Sequence, residues 1–260
     1  MSSPLLLGLF CLLLGASPVF AVGAEDFDAA NQQFTAGDFA AAAAGYEQIL
    51  AARGPCAAVL YNLGNSYQRL GRIGPAILAY ERARLLTPRD PDLLANLALA
   101  RKAAAAFEEP ARHPRLEAAL TYLSRNELSW LVAGSALVLG GLALVGGVLR
   151  WPRPMLRQAA VVLACLTSLA MLAGGTVLYL RRGEASRGIV LPEAATLRLS
   201  PFEKAESLGT QGPGKIVHLG EKSGDFHYIE VPGVNLRGWL ADKDVAAITP
   251  ESPANEGKTP

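Results

Sequence analysis

The chain has 260 residues, of which 51% are hydrophobic and 18% are charged, against roughly 25% charged residues in typical soluble domains. A formal net charge of +1 gives no reason to expect a nucleic-acid partner. The three cysteines lie far apart and lack the spacing of metal ligands, and two of them fall in apolar runs, which argues against a metal site or an internal disulfide.

Residues 1–24 have the features of a signal peptide. An apolar run from Leu5 to Leu14 is too short for an ordinary transmembrane helix, and small residues at Ala21 and Ala24 offer cleavage sites. No Lys or Arg precedes the run, so either the true start lies elsewhere or cleavage is inefficient. We expect export, with Glu25 as the first mature residue if cleavage follows Ala24.

Residues 25–108 are alanine-rich and repeat at a spacing of 34 residues, which places Gly37 over Gly71. The first copy is the weaker one, because Ala30 and Gln33 replace the usual Gly and Tyr, and a third copy from Pro91 supplies one more helix. The sequence therefore predicts about 2.5 tetratricopeptide repeats, which are protein-binding modules. The second copy has seven residues at the signature positions of this repeat, namely Leu63, Gly64, Tyr67, Ala76, Tyr80, Ala83 and Pro88.

The first helix of each such repeat lines a concave surface, and we expect partners to bind there. Asn31 and Asn65 occupy equivalent positions, where an amide could clamp the backbone of a peptide. The alternative is that these polar residues are solvated on an unused face. The predicted protein-binding surface, called the A-helix face below, consists of Phe27, Asn31, Phe34, Tyr61, Asn65 and Arg69.

A connector and two apolar spans follow. In the connector, residues 109–127, leucines at helical spacing predict a short amphipathic helix, either on the membrane surface or packed against the repeats. The spans 128–149 and 159–180 carry no charge and are each long enough to cross about 30 Å of hydrocarbon. The loop 150–158 contains arginines and no acid, so it is predicted to be cytoplasmic, with both flanking regions outside.

The spans are predicted to pack as a hairpin through small residues, such as the pairs Ala136/Gly140 and Ala170/Gly174. Neither span contains an ionisable residue, which argues against a transporter or a proton path.

Residues 186–248 alternate in a strand-like pattern with Gly and Pro between the strands, which predicts a small β-barrel. The tail 249–260 is rich in Pro and charge and is predicted to be disordered. The candidate strands are 187–191, 195–200, 215–220, 226–231, 237–242 and 245–248.

Gly209, Gly214 and Lys215 form the GxxxxGK pattern of a phosphate-binding loop. Ile216 follows in place of the hydroxyl that would hold Mg²⁺, and the next residues predict a strand where a phosphate site needs a helix N-terminus. We therefore expect these glycines to form a turn between strands and not to bind a nucleotide.

The stretch from "ATLR" through "GDFHYIEV" to "GWLADKDV" resembles a bacterial SH3 (SH3b) domain, with Phe226 at a position where the family usually has tryptophan. The resemblance implies a module that could grip peptidoglycan peptides. Phe226 and Tyr228 are the candidate ligand residues, although at least one of them, together with Trp239, is expected in the barrel core.

The sequence predicts no enzyme, no cofactor and no metal site. The histidines His113, His218 and His227 lie in a linker and on strands, without a nucleophile motif nearby. His218 and His227 could face each other across a hairpin, but two ligands alone make a poor metal site.

The order of signal peptide, tetratricopeptide repeats, two spans and SH3 domain is similar to that of BatE-like proteins of bacterial aerotolerance operons, as is the stretch "YNLGNSYQRLGRIGPAILAYERARLLTPRD". The resemblance implies a multidomain, multi-pass inner-membrane protein with both modules in the periplasm. It further implies a scaffold that binds von Willebrand A-domain membrane proteins and, indirectly, a MoxR-type ATPase. The alternative is a protein that binds or senses the cell wall through its SH3 domain.

Overall fold

The computed structural model describes residues 24–106, 120–148, 154–234 and 236–249. The predicted signal peptide, most of the amphipathic connector, the middle of the loop between the spans and the C-terminal tail lie outside these residues. The helices are α1 (Ala24–Thr35), α2 (Phe39–Arg53), α3 (Ala57–Arg69), α4 (Ile73–Leu86), α5 (Pro91–Ala103), α6 (Arg125–Val148) and α7 (Pro154–Leu180). The strands are β1 (Arg187–Val190), β2 (Ala195–Arg198), β3 (Ser207–Gln211), β4 (Ile216–Ser223), β5 (Phe226–Val231), β6 (Leu236–Ala241) and β7 (Val245–Ala247).

The helix pairs α1/α2 and α3/α4 are two copies of one structure at the predicted spacing of 34 residues. Gly37 and Gly71 both adopt positive φ, 84° and 74°, in the turn between the helices of each pair. Their backbone N–H groups donate to the residue three positions earlier, at 3.1 Å in both turns. The periodicity read from the sequence is therefore a repeat of backbone geometry as well.

Each pair closes over a small residue, but the two copies place that residue differently. In the second pair Gly64 of α3 lies under the ring of Tyr80, and a Cβ at Gly64 would come within 2.5 Å of that ring. In the first pair the equivalent residue is Ala30, and its Cβ points at Gly45 of α2, where an added Cβ would lie 3.1 Å away. The weaker first copy thus keeps its close helix packing because the glycine has moved to the opposite helix.

Helices α6 and α7 form an antiparallel hairpin whose apolar side chains are mostly exposed. Both are long and apolar enough to cross a membrane. A Cβ on Gly174 would lie 3.0 Å from Cγ2 of Val132, whereas a Cβ on Gly140 would meet nothing within 4 Å. The expected close packing is therefore present at Gly174 and absent at Gly140. Helix α7 starts at Pro154, so the second half of the predicted loop 150–158 is helical.

The seven strands form one antiparallel sheet in the order β3-β2-β6-β5-β4-β1-β7. The region 187–249, called the β domain below, buries side chains from strands at both ends of this order in a single core, so the sheet is strongly curled. The sequence did not predict β3, which lies on the stretch between the first two glycine-rich turns and pairs with β2 through a bulge. Core residues include Val190, Leu197, Val217, Ile229, Leu240 and Val245.

The β domain is docked onto α4, the second helix of the second repeat. A Cβ on Gly74 of α4 would lie 2.2 Å from the carbonyl oxygen of Leu191, so only glycine allows the β domain this close. On the other side, a Cβ on Gly214 would lie 2.2 Å from Cδ1 of Ile77. Ile189 and Ile248 of the β domain are buried in the same apolar cluster as the repeat helices. The repeats and the β domain therefore share a core.

Arg82 of α4 completes this contact through polar bonds. Its Nη2 donates to the carbonyl oxygen of Ala247 at 2.8 Å, and its Nε donates to that of Ile248 at 3.3 Å. Strand β7 is one of the two outer strands of the sheet. The guanidinium thus occupies carbonyls at an edge that would otherwise be open to another strand.

Candidate functional site

The two asparagines of the A-helix face hold the repeats together. The Oδ1 atom of Asn31 accepts hydrogen bonds from the hydroxyl of Tyr46 at 2.6 Å and from Nδ2 of Asn62 at 3.1 Å. One repeat later, Oδ1 of Asn65 accepts from Tyr80 at 2.7 Å and from Nδ2 of Asn96 at 2.9 Å. Each amide oxygen therefore joins its own helix to the helix of its pair and to the first helix of the next pair.

The tyrosines of this network are buried, and burial raises the pKa of both Tyr46 and Tyr80. They remain neutral donors at physiological pH, as their bonds to the amide oxygens require. The same rings pack on aromatic residues of α1 and α3: Phe27 lies 6.0 Å from Tyr46, and Tyr61 lies 6.1 Å from Tyr80. Sequence reasoning placed the asparagines correctly on one face and missed their tyrosine partners, although both tyrosines had been identified as repeat positions.

The remaining members of the A-helix face differ in exposure. Phe27, Phe34 and Tyr61 are half-buried and pack against the repeat core. Arg69 is exposed, and its guanidinium lies 4.4 Å from the ring centroid of Phe39. Arg69 is therefore the member of the face best placed to contact a partner, while the others mainly shape the surface beneath it.

The aromatic candidates of the β domain lie in two different settings. Phe226 is 8% exposed and forms the floor of an open groove. Tyr228 is half-buried and stacks edge-to-face on Trp239, its cross-strand neighbour, at 5.3 Å. The expectation that part of the aromatic set is structural fits this pair, and only Phe226 lines the groove.

The groove above Phe226 is mainly acidic. Four carboxylates line it, against two basic residues, Arg198 and Lys243. Lys222 bonds Asp242 at 2.7 Å and, as the largest influence, holds the pKa of that carboxyl below its usual range. Sequence reasoning missed this cluster because its acids come from separate turns. The carboxylates are Glu203, Asp225, Asp242 and Asp244.

The histidines do not form a site. The strand register places Glu230 opposite His218 and Lys222 opposite His227, so the expectation that the two histidines could face each other is wrong. Nδ1 of His227 lies 2.8 Å from Oδ1 of Asp242. His113 lies outside the described residues, and within those that are described no group of His, Cys, Asp and Glu could hold a metal ion.

The GxxxxGK pattern is part of the docking contact. Gly214 has a φ of 73° in the turn after β3, and its N–H donates to the carbonyl oxygen of Val190 at 2.8 Å. Lys215 is followed directly by strand β4. As expected, the glycine serves a turn and no helix N-terminus follows the lysine.

A buried carboxylate lies where α4, α5 and β1 meet. Glu81 is fully buried and accepts from Nη2 of Arg84 at 2.8 Å and from Arg101. Burial alone would raise the pKa of Glu81, but the nearby Arg84, Arg101 and Arg187 hold it below its usual value. The helical pattern gave no sign of this cluster, since Glu81 reads as an ordinary polar position in an ERAR segment.

Two arginines attach the hairpin to the domains above it. Nη2 of Arg89, just after α4, lies 2.6 Å from Oε1 of Glu127 in the first turn of α6. Glu127 also accepts from the backbone N–H of Ser124, and Ser124 Oγ accepts from that of Glu127, which is a reciprocal helix cap. At the end of α7, Nη1 of Arg181 donates to the carbonyl oxygen of Leu123 at 2.8 Å. Both ends of the hairpin are thus held by polar bonds.

Comparison with known proteins returns no match: no family model, no curated protein and no solved structure is similar to this chain.

Proposed function

We propose that the chain is a non-enzymatic membrane scaffold that presents tetratricopeptide repeats and an SH3b domain on the same side of the bilayer. The observation that carries the proposal is the docking of the β domain on α4 through Gly74, Gly214 and Arg82. This contact uses a second helix of a repeat and leaves the first helices, which carry the A-helix face, uncovered by the β domain.

The same contact supports the hairpin topology. Two regions that share a core must lie in the same compartment, so the chain between them crosses the membrane an even number of times. Helices α6 and α7 provide two crossings. The predicted export of the N-terminus and the basic loop between the helices favour the periplasmic side for both domains of an inner-membrane protein.

Side-specific labelling tests this topology. Cysteine introduced at the exposed Gln48 or Lys243 should react with a membrane-impermeant maleimide in intact spheroplasts, because both positions would face the periplasm. Labelling of one position and not the other would contradict docking of the two domains. Labelling of both only after lysis would place them in the cytoplasm.

By its resemblance to BatE-like proteins, the scaffold would bind von Willebrand A-domain membrane proteins through the A-helix face, with a MoxR-type ATPase as an indirect partner. Site-specific photocrosslinking tests this. A photoreactive residue at Arg69 should capture an A-domain protein in cells, and one at Gln48, exposed on α2, should not. Equal capture at both positions, or capture at Gln48 alone, would refute the assignment of the A-helix face.

A second candidate function is binding of peptidoglycan through the β domain. The groove over Phe226 favours it, because an aromatic floor beneath several carboxylates suits an amine on an aliphatic chain, such as those in wall peptides. Full-length protein in detergent should then sediment with purified sacculi. Asp225→Asn with Asp244→Asn should reduce sedimentation, whereas Glu230→Gln, which breaks only the surface pair with Arg237, should leave it unchanged. Absence of sedimentation favours the protein-binding scaffold.

A further inference from the structure

A crevice lies where the repeats, the β domain and the membrane hairpin meet. It is lined by residues of α4, of the turn after α7 and of β1, together with Thr121 just before α6. Neither the A-helix face nor the groove over Phe226 includes any of them. The charged residues of the lining are Glu81, Arg84, Arg181, Glu184 and Arg187.

Positive charge is in excess around this crevice. Glu81 is shared between Arg84 and Arg101, and Glu184 is 3.0 Å from Arg181. With Arg187, four guanidinium groups therefore stand against two carboxylates, an excess of two positive charges among these six residues. Whatever other contacts the arginines make, this set attracts an anion.

The crevice lies at the depth of the lipid headgroups if α6 and α7 span the bilayer. Arg181 is the first residue after α7, and its guanidinium also bonds the carbonyl oxygen of Leu123 ahead of α6. Just below, Tyr179 is 63% exposed, and Arg182 lies 4.7 Å from its ring centroid. Exposed aromatic and arginine side chains of this kind mark the membrane–water interface.

We propose that this crevice binds a phosphate-bearing anion, in the cell the headgroup of an anionic phospholipid. Guanidinium groups match the geometry of phosphate oxygens and form charge-assisted hydrogen bonds with them, and basic pockets beside transmembrane helices recognise anionic headgroups. The lipid would bridge the three parts of the chain that meet there. The headgroup assignment rests on the proposed function only in treating α6 and α7 as membrane spans.

Lipid retention by the full-length protein tests the proposal. Protein in detergent is incubated with equal amounts of phosphatidylglycerol and phosphatidylcholine, and the retained lipids are identified by native mass spectrometry. We expect retention of the anionic lipid, and retention about tenfold weaker in Arg187→Gln, which loses one charge-assisted contact. The control is Arg182→Gln, which removes the same charge one residue from Arg181 but outside the crevice.

Equal loss in Arg182→Gln and Arg187→Gln, or no lipid preference in the wild type, would overturn the headgroup assignment. Arg187→Lys guards against misfolding, because it keeps the charge and should recover part of the retention. In a second arm, inorganic phosphate should raise the melting temperature above that in chloride at equal ionic strength. Stabilisation by phosphate without lipid retention would identify a soluble phosphate as the ligand, and the absence of both effects would refute the site.

Extraction with alkaline carbonate separates this question from the membrane assignment. Protein that leaves vesicles under carbonate does not span them, which would contradict the proposed function. The phosphate arm is measured in detergent and still decides whether the crevice binds an anion.

Discussion

Gly214 and Ile77 touch across the boundary between the β domain and the repeats, with room for a hydrogen but not for a methyl group between them. Because Ile77 is fully buried, it cannot move aside, and the φ of 73° at Gly214 is itself unfavourable for alanine. We expect Gly214→Ala to lower the free energy of unfolding by about 2–4 kcal/mol. Thermal unfolding in detergent measures the effect.

Gly212 is the matched control for this substitution. It lies in the same turn, but a Cβ there meets nothing within 4 Å. Gly212→Ala should therefore leave the melting temperature nearly unchanged. If Gly212→Ala and Gly214→Ala unfold at the same temperature, the contact with Ile77 does not exist.

Gly74→Ala gives an independent prediction whose sign differs from that of helix propensity. Alanine in place of a helical glycine normally stabilises by about 1 kcal/mol. Here the new methyl group would overlap the carbonyl oxygen of Leu191, so the substitution should destabilise the protein and increase hydrogen exchange of the β1 amides. Stabilisation by Gly74→Ala would show that the β domain is not docked on α4.

The buried carboxylate of Glu81 should be far more sensitive to substitution than a surface acid. Glu81→Gln leaves Arg84 and Arg101 facing a neutral group inside the protein, and breaking such a buried cluster costs about 3–5 kcal/mol. Glu230→Gln removes an acid from an exposed pair with Arg237 and should cost at most about 1 kcal/mol. Denaturant unfolding of the two variants compares them, and equal costs would rule out a buried charged cluster.

Alkaline pH should weaken the repeats through Tyr67. Burial, together with a hydrogen bond to Glu47, raises the pKa of Tyr67 from 10.0 to about 12. The folded state therefore holds this proton more tightly than the unfolded state. The resulting stability is complete below pH 10 and is lost as pH rises toward 12, by about 2 kcal/mol for this group.

Unfolding free energies measured between pH 9 and pH 12 check this prediction. Tyr67→Phe has no proton to lose at this position, so its stability should fall less steeply over that range. Parallel pH profiles for the wild type and Tyr67→Phe would show that the pKa of Tyr67 is close to that of an exposed tyrosine.

The two glycines of the hairpin should respond differently to a large side chain. Gly174→Leu would push α7 away from Val132 and Leu131, whereas Gly140→Leu adds a side chain where the described structure leaves open space. Resistance to unfolding by sodium dodecyl sulphate should fall for Gly174→Leu and stay unchanged for Gly140→Leu. The reverse order would mean that the hairpin packs through the face of Gly140.

The repeats, the two apolar helices and most strands could be read from the sequence because each follows a local period. Strand β3 could not, since SLGTQ has one apolar residue and is held as a strand by pairing with β2. The role of Asn31 and Asn65 was hidden for another reason. Their partners Asn62 and Asn96 lie 31 residues further on, a separation set by how successive helix pairs stack and not by the repeat period.

Docking of the β domain depends on relations that no local pattern records. Gly74 reads as a weak helix position and Gly214 as a turn residue, and their shared role appears only when α4 meets the β domain. Arg82 likewise reads as one of several charges on a helix, while its partners are carbonyl groups more than 160 residues away.

The guanidinium of Arg82 also limits how the protein can self-associate. A sheet with two open edges can recruit strands on both sides and grow without end into fibrils. Here the edge at β7 is closed by the chain itself, and of the two outer strands only β3 remains. Two molecules that joined through β3 would each present a closed edge outward, so strand-to-strand association stops at a pair.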